Sequence, residues 1–139
     1  MNPPILTIQF DSEATLLSRP NRFLGIVRLE NGREEMVHIH DPGRLKELLF
    51  PGNRILLQKV DSPTRKTGWD LIAARYEGEW ILVHSGYHSK IAQSIFEKPE
   101  LSPFKELKFI RKEVKVGRSR MDFLLTKRDM KTVLVEVKG

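Results

Sequence analysis

The last twenty-one residues leave the chain few choices of fold. Met121, Phe123 and Leu125 alternate with Arg120, Asp122 and Leu124; past the polar stretch Lys127–Lys131, Val133, Val135 and Val137 alternate with Leu134, Glu136 and Lys138. A period of two marks strands, and a connection this short makes them antiparallel neighbours. A turn centred on Asp129 sets Asp122 across from Glu136, with Cβ atoms roughly 5 Å apart. Like charges facing each other destabilise a sheet unless a cation lies between them. The pattern therefore predicts a bound metal ion.

A further strand is predicted over 109–116. It ends at Gly117-Arg118, short enough for a two-residue hairpin loop with Gly in the first central position. In that register Val116 faces Ser119, and Glu113 faces Asp122. Glu113, Asp122 and Glu136 then form one cross-sheet row, with Lys115, Arg120 and Lys138 a layer along. A slip of one residue in either hairpin would disperse it. Oxygen-only ligands point to Mg2+ or Mn2+. Lys138, two residues after Glu136 on the same face, is suited to orient a water and offset developing phosphate charge. The plainer reading of the same residues is a polar sheet face with Glu–Lys and Asp–Arg pairs.

Charge placement supports a polyanionic partner. The chain carries a net +6, and residues 111–139 hold nine Lys/Arg against four acids, a local excess of +5. A basic field beside paired carboxylates suits nucleic acid, against a merely solvated basic surface as the alternative. The 139 residues, 40% hydrophobic, have room for one ordinary domain or two small ones, and the absence of Cys excludes disulfides and thiolate sites. The start lacks a basic segment followed by an apolar one, and no apolar run reaches the ~20 residues that span a bilayer. A soluble cytoplasmic protein without membrane contact is expected.

Upstream, turn signals divide residues 4–85 into short strands at 5–10, 14–17, 23–29, 35–39, 54–59, 69–76 and 80–84. Asn31-Gly32 and Glu77-Gly78-Glu79 are hairpin turns. A short helix is expected over 41–50, capped by Asp41, with Pro42 in its first turn and Leu45, Leu48 and Leu49 as its stripe. The pattern suggests a small β-barrel, first an OB type, with an SH3-like barrel or small sandwich as alternatives. His38 and His40 share a strand face and could ligate a metal, but no third ligand is evident, which favours a polar outer face. Arg65, Lys66 and Trp69 suit contact with a single strand, or else Trp69 is buried beside a charged loop. A helix is expected over 86–98, with Ile91 and Ile95 as its stripe, joined by Tyr87 and His88, a cap from Ser85 or Ser89, and Pro99 as its stop. A helical turn is expected at 104–107. The domain boundary is drawn after His84, giving residues 1–85 and 86–139.

Asp122 followed by Glu136-Val-Lys138 resembles the D…ExK signature of the PD-(D/E)xK nucleases, a loose pattern by itself. More specifically, the chain resembles the sugar fermentation stimulation protein A family. The matching residues are Arg22-Phe-Leu, Gly43-Arg-Leu, Pro51-Gly52, Arg65-Lys66, Trp69, the run from Lys112 to Leu125, and Val135 to Lys138, in family order through almost the whole chain. This resemblance implies an α+β protein, an N-terminal OB-like β-barrel followed by a partial restriction-endonuclease-like α/β domain of one helix and a three-stranded antiparallel meander. It implies DNA as partner, with RNA as the alternative, and a divalent metal-dependent nuclease activity. Asp122, Glu136 and Glu113 would hold the metal, Lys138 would act on the water, and Arg22, Arg44, Arg65, Lys66, Lys115, Arg118 and Arg120 would grip the nucleic acid. The family's link to sugar metabolism implies a second reading, a non-catalytic nucleic-acid-binding regulator. A basic protein-interaction module is the third.

Three positions depart from the family pattern. Met121 stands where Pro precedes the Asp, Asp41-Pro42 where an Asn-Thr pair is usual, and His84-Ser-Gly-Tyr87 where a Val-Asn-Thr-like segment is common. Family members also continue past the position of Gly139. On this likeness the chain reads as a truncated and weakly active or inactive member. The apolar face of Met121, Phe123, Val133 and Val135 then needs cover, expected from the 86–98 helix and from a homo-oligomer.

Overall fold

A computed structural model describes residues 4–41 and 43–138. The chain divides into two compact units, one formed by residues 8–85 and the other by residues 86–139 with the first seven.

In the first unit, β1 (Ser12–Asn21), β2 (Leu24–Leu29), β3 (Glu34–Ile39), β4 (Arg54–Lys59), β5 (Trp69–Tyr76) and β6 (Glu79–Leu82) follow in order. The sheet runs β3-β2-β1-β4-β5-β6, and a parallel pairing of β3 with β5 closes the first five strands into a barrel. This is the OB-like arrangement, and it removes the sheet edges that an open meander would expose. Strand β1 serves two partners, pairing Ala14 with both Leu29 and Ile55, and its register shifts beyond Leu16 bend it around the barrel.

The interior is filled by alternate residues. Ala14, Leu16, Val27, Val37, Ile39, Ile55, Leu57, Leu71 and Ala74 are completely buried. Gly25 in β2 is required by closeness: a Cβ there would lie 3.0 Å from the Val37 side chain. Trp69 packs half-buried against this core, beside the charged loop. Glu77 (φ +48°) and Gly78 (φ +82°) form a two-residue turn between Tyr76 and Glu79, tighter than expected.

Residues 5–10 form no strand, and the expected helix after Asp41 is a set of turns. Leu45 adopts a left-handed φ of +46°, and its carbonyl accepts the amides of both Leu48 and Leu49. Asp41 accepts the amide of Gly43 in a local turn instead of capping a helix. The expected role of Pro42 lies outside the described residues. Leu45, Leu48 and Leu49 nevertheless pack on the barrel core, so the apolar spacing was genuine although the backbone is not helical.

A 3-10 turn (Ser85–Tyr87) precedes the second unit's α1 (His88–Phe96), which is followed by β7 (Leu107–Val116), β8 (Ser119–Lys127) and β9 (Thr132–Val135) in an antiparallel meander. Helix α1 has no side-chain cap. Ser85, expected as one, donates its hydroxyl to the His40 carbonyl. The helix is anchored by Phe96, with Ala92 beside it, where Ile91 and Ile95 were expected. Phe96 meets Phe123 edge-on, with ring centroids 5.2 Å apart. Phe123 and Leu125 are buried beneath Val133, Val135 and Val137, so the helix covers the face expected to need it. Residues 104–107 form turns and the start of β7, without a helical turn.

Candidate functional site

The acidic row is built by two tight turns. Gly117, at φ +61°, turns β7 into β8 so that Val116 faces Ser119, Lys115 faces Arg120 and Val114 faces Met121. The 127–131 turn closes with the Lys127 amide on the Lys131 carbonyl at 2.8 Å and pairs Phe123 with Val135 and Leu125 with Val133. Glu113 therefore stands opposite Asp122, between the pairs Lys112–Phe123 and Val114–Met121. Strand β9 ends at Val135, so the Asp122–Glu136 position falls one step beyond the last pair formed.

The geometry differs from an ideal sheet at both ends of that row. Glu113 has φ +54°, a left-handed conformation inside a strand. Such a residue costs of order 1–2 kcal/mol and persists only where its surroundings hold it. Beyond β9, the Asp122 carboxylate takes over from the ladder, accepting the Val137 amide at 2.7 Å. Glu136 turns to Lys138, with Nζ 3.5 Å from its carboxylate. Asp122 and Glu113 line one cleft with Lys112 and the α1 residues Ser89, Lys90 and Gln93. As folded, the three carboxylates do not gather into a group of potential metal ligands; among the described residues such a group forms elsewhere.

The expected nucleic-acid contacts separate into the two units. Lys115, Arg118 and Arg120 are exposed around the β7–β8 turn, with Lys115 and Arg120 directly opposed. Two cations so placed repel, and a polyanion would relieve them. Arg22, Arg44 and Lys66 are exposed on the barrel unit. Arg65 is engaged, holding Asp70 Oδ1 at 2.7 Å and the Thr67 hydroxyl at 3.1 Å. Phe23, Leu24, His38, His40, Arg65, Lys66 and Thr67 line a shallow groove in which exposed Phe23 lies nearly parallel to His38.

Two features were not read from the sequence. Arg19 donates to the carbonyls of Arg22, Asp41 and Arg44, tying the loops that carry two of the expected contacts. The group of potential ligands that does form takes in His40 but not His38, and joins it to Asp70 and His84, 30 and 44 positions further on. The parallel β3–β5 pairing brings them together by setting His38 across from Asp70. No local spacing signals that contact, because only barrel closure creates it.

Burial pushes the His84 imidazole below its ordinary 6.5, reinforced by the charge of His40 and opposed by Asp70. Burial likewise lowers His38, with His40 and Arg65 adding to it. Burial alone would raise Asp70, but the hydrogen bond from Arg65 and the proximity of His40 outweigh it and hold the carboxyl below its ordinary 3.8. His40 Nε2 lies 2.9 Å from Asp70 Oδ1 yet lacks the alignment of a hydrogen bond, and it is buried.

A closed five-stranded barrel joined to a helix and antiparallel meander carrying Glu113, Asp122 and Glu136 defines an OB-type domain followed by a restriction-endonuclease-like one. The comparisons with known proteins agree. Residues 17–83 match the SfsA N-terminal OB domain, and residues 86–139 match the sugar fermentation stimulation protein RE domain. The chain belongs to the sugar fermentation stimulation protein family. It is 50% identical over 143 aligned positions to a sugar fermentation stimulation protein homolog of Methanococcoides burtonii, covering 99% of this chain and 58% of that protein. A homolog from Methanothermobacter thermautotrophicus is 43% identical, over 96% of this chain and 55% of its own length. The structure of Pyrococcus furiosus SfsA in complex with Ca2+ matches with a TM-score of 0.77 and 30% identity, covering 90% of this chain and 52% of that one. The chain thus spans little more than half the length of these relatives. Among the described residues no helix is long and apolar enough to cross a membrane.

Proposed function

We propose that the protein binds DNA and that, at the length of its relatives, it hydrolyses phosphodiesters at the Glu113–Asp122–Glu136 row. The observation that supports this reading is the register: Glu113 falls opposite Asp122 between two observed pairs, and continuing the Phe123–Val135 pairing by one step would bring Glu136 to Asp122, beside the opposed cations Lys115 and Arg120. Oxygen-only donors suit a hard divalent ion, Mg2+ or Mn2+, and the Ca2+ in the Pyrococcus furiosus structure supports that class. Glu113 and Glu136 are exposed, which leaves their side chains room to turn toward Asp122 on binding an ion. The ion would supply Lewis-acid polarisation of a phosphoryl oxygen.

The protein's own groups do the rest. Asp122, fixed by the Val137 amide, holds the end of the chain against β8 and keeps one carboxylate oxygen for the ion. Lys138 would leave Glu136 to orient the attacking water and to neutralise charge developing on the phosphate. Lys115, Arg118 and Arg120 hold the backbone of the nucleic acid. In this reading the barrel, residues 1–85, binds nucleic acid through Arg22, Arg44, Arg65 and Lys66, and residues 86–139 are the catalytic part.

A second reading, a non-catalytic DNA-binding regulator, is favoured by the 3.5 Å pairing of Glu136 with Lys138, which leaves the acids apart. Plasmid and single-stranded DNA, incubated with Mg2+, Mn2+ or EDTA, separate the two. Cleavage by a chain extended to the relatives' length, abolished by Asp122→Ala, supports the nuclease. Binding that persists in EDTA without cleavage by that longer chain supports the regulator, and absence of salt-dependent DNA binding overturns both.

A further inference from the structure

We propose that His40, Asp70 and His84 form a transition-metal site of the zinc class in the barrel, separate from the carboxylate row. One ligand atom from each of the three lies within 4.8 Å of the other two. The site joins the residue that follows β3, strand β5 and the segment following β6, three parts of the chain that no local sequence signal connects.

The donor chemistry selects the ion. Two imidazole nitrogens and one carboxylate oxygen suit Zn2+, and also Co2+ or Ni2+ as probes, better than the hard ions expected at an all-carboxylate row. Asp70 Oδ2 is 3.7 Å from His84 Nε2, too far for a hydrogen bond. It is close to the roughly 3.3 Å that separates two ligands on one tetrahedral ion with bonds near 2 Å. The His40 and His84 rings stack at 3.9 Å, at an angle of 18°, so the two imidazoles are neighbours and one ring must turn for both nitrogens to face a single ion.

Three further observations point the same way. His40 Nε2 is buried and faces Asp70 Oδ1 at 2.9 Å without hydrogen-bond alignment, an arrangement that coordination of both atoms to one ion would relieve. Asp70 is buried and held by Arg65, the sort of outer partner that fixes a ligating carboxylate. The side chains of His84 and Asp70 are only 11% and 10% exposed, so both ligand groups lie largely out of water. With three protein ligands, the fourth position falls to solvent, as in open zinc sites.

Cobalt titration of the EDTA-stripped 139-residue chain tests the proposal. One equivalent should give the visible bands of four- or five-coordinate Co2+, displaced by Zn2+. His40→Ala or His84→Gln should weaken binding at least 100-fold, whereas His38→Ala and the pair Asp122→Ala with Glu136→Ala should leave it unchanged. In the unaltered chain, Zn2+ should shift the ring NMR signals of His40 and His84 and spare His88, a readout that needs no variant. Absence of a stoichiometric cobalt spectrum overturns the site. So does a spectrum that survives both histidine variants, or one lost with Asp122 and Glu136. Each of these three results leaves the nuclease reading standing on its own assay.

Discussion

Asp122 Oδ2 accepts the backbone amide of Val137 at 2.7 Å, so a side chain of β8 extends the pairing beyond the last bridge of β9. The acid that the nuclease reading places at the metal is also what fastens the segment after β9 that carries Glu136 and Lys138. Structure and chemistry are therefore coupled at this residue.

Asp122→Ala should weaken the end of the meander. A hydrogen bond to a charged acceptor contributes about 1.5–3 kcal/mol. The variant should lose stability in that range, and the Val137 amide should exchange faster. Asp122→Asn keeps an acceptor oxygen and should cost less than about 1 kcal/mol. Urea unfolding together with amide exchange read by NMR checks both. Equal losses in the two variants would mean that the hydrogen bond does not hold this end of the chain.

Glu113 presents the opposite case, a residue whose backbone is strained where its side chain is wanted. Its φ of +54° costs about 1–2 kcal/mol that glycine would not incur. Glycine in turn loses about 0.5–1 kcal/mol to backbone entropy. Glu113→Gly should therefore be neutral or stabilising by up to about 1 kcal/mol, while Glu113→Ile should destabilise by at least that amount. In the nuclease reading Glu113→Gly also abolishes cleavage by a chain of the relatives' length. Chemical denaturation beside a cleavage assay tells a strained functional residue from an incidental one.

What could be read in advance followed from local chemistry. The alternation of Met121, Phe123 and Leu125 with the Gly117 turn fixed both hairpin registers, because slipping either would turn Phe123 out of the core. Strands β4 and β5 were bounded by charges and turn residues at their ends. The misses arose where a distant contact outweighed a local signal. Leu45, Leu48 and Leu49 have helical spacing, but their packing on the barrel is met by a left-handed turn. Ile91 and Ile95 lost the anchoring position on the sheet to Phe96, whose partner Phe123 lies 27 positions away. The His40–Asp70–His84 group depends on parallel pairing of strands 30 positions apart, which no spacing within either strand encodes.

Acid should destabilise the metal-free barrel from about pH 6.5 downward. In the unfolded chain the imidazoles take up protons near their ordinary 6.5, whereas folded His84 and His38 are held lower, first by burial and then by the charge of His40, with Arg65 acting on His38. Between the two values the unfolded chain binds more protons, so stability falls as pH falls. Asp70, depressed below 3.8 by Arg65 and His40 against its own burial, adds a second loss of the same sign in stronger acid. Thermal melts in EDTA from pH 8 to pH 5 should show the first decline, and His84→Gln should flatten it. A melting temperature level across that range would contradict the assignment.

Arg19 should prove necessary to the loops that present Arg22 and Arg44. Its guanidinium donates to the Arg44 carbonyl at 2.6 Å, the Arg22 carbonyl at 2.8 Å and the Asp41 carbonyl at 3.0 Å, so one side chain ties three segments. Lysine carries the same charge, but its single ammonium lacks the planar fork that spans these acceptors. Arg19→Lys should cost about 1–2 kcal/mol and speed amide exchange at Gly43 and Arg44. DNA affinity should fall with little change in salt slope, because no cation is lost. Arg44→Ala removes one and should lower that slope by about 0.9 without loosening the loop. Exchange rates and salt-dependent binding measured on both variants separate the positioning role of Arg19 from the contact role of Arg44.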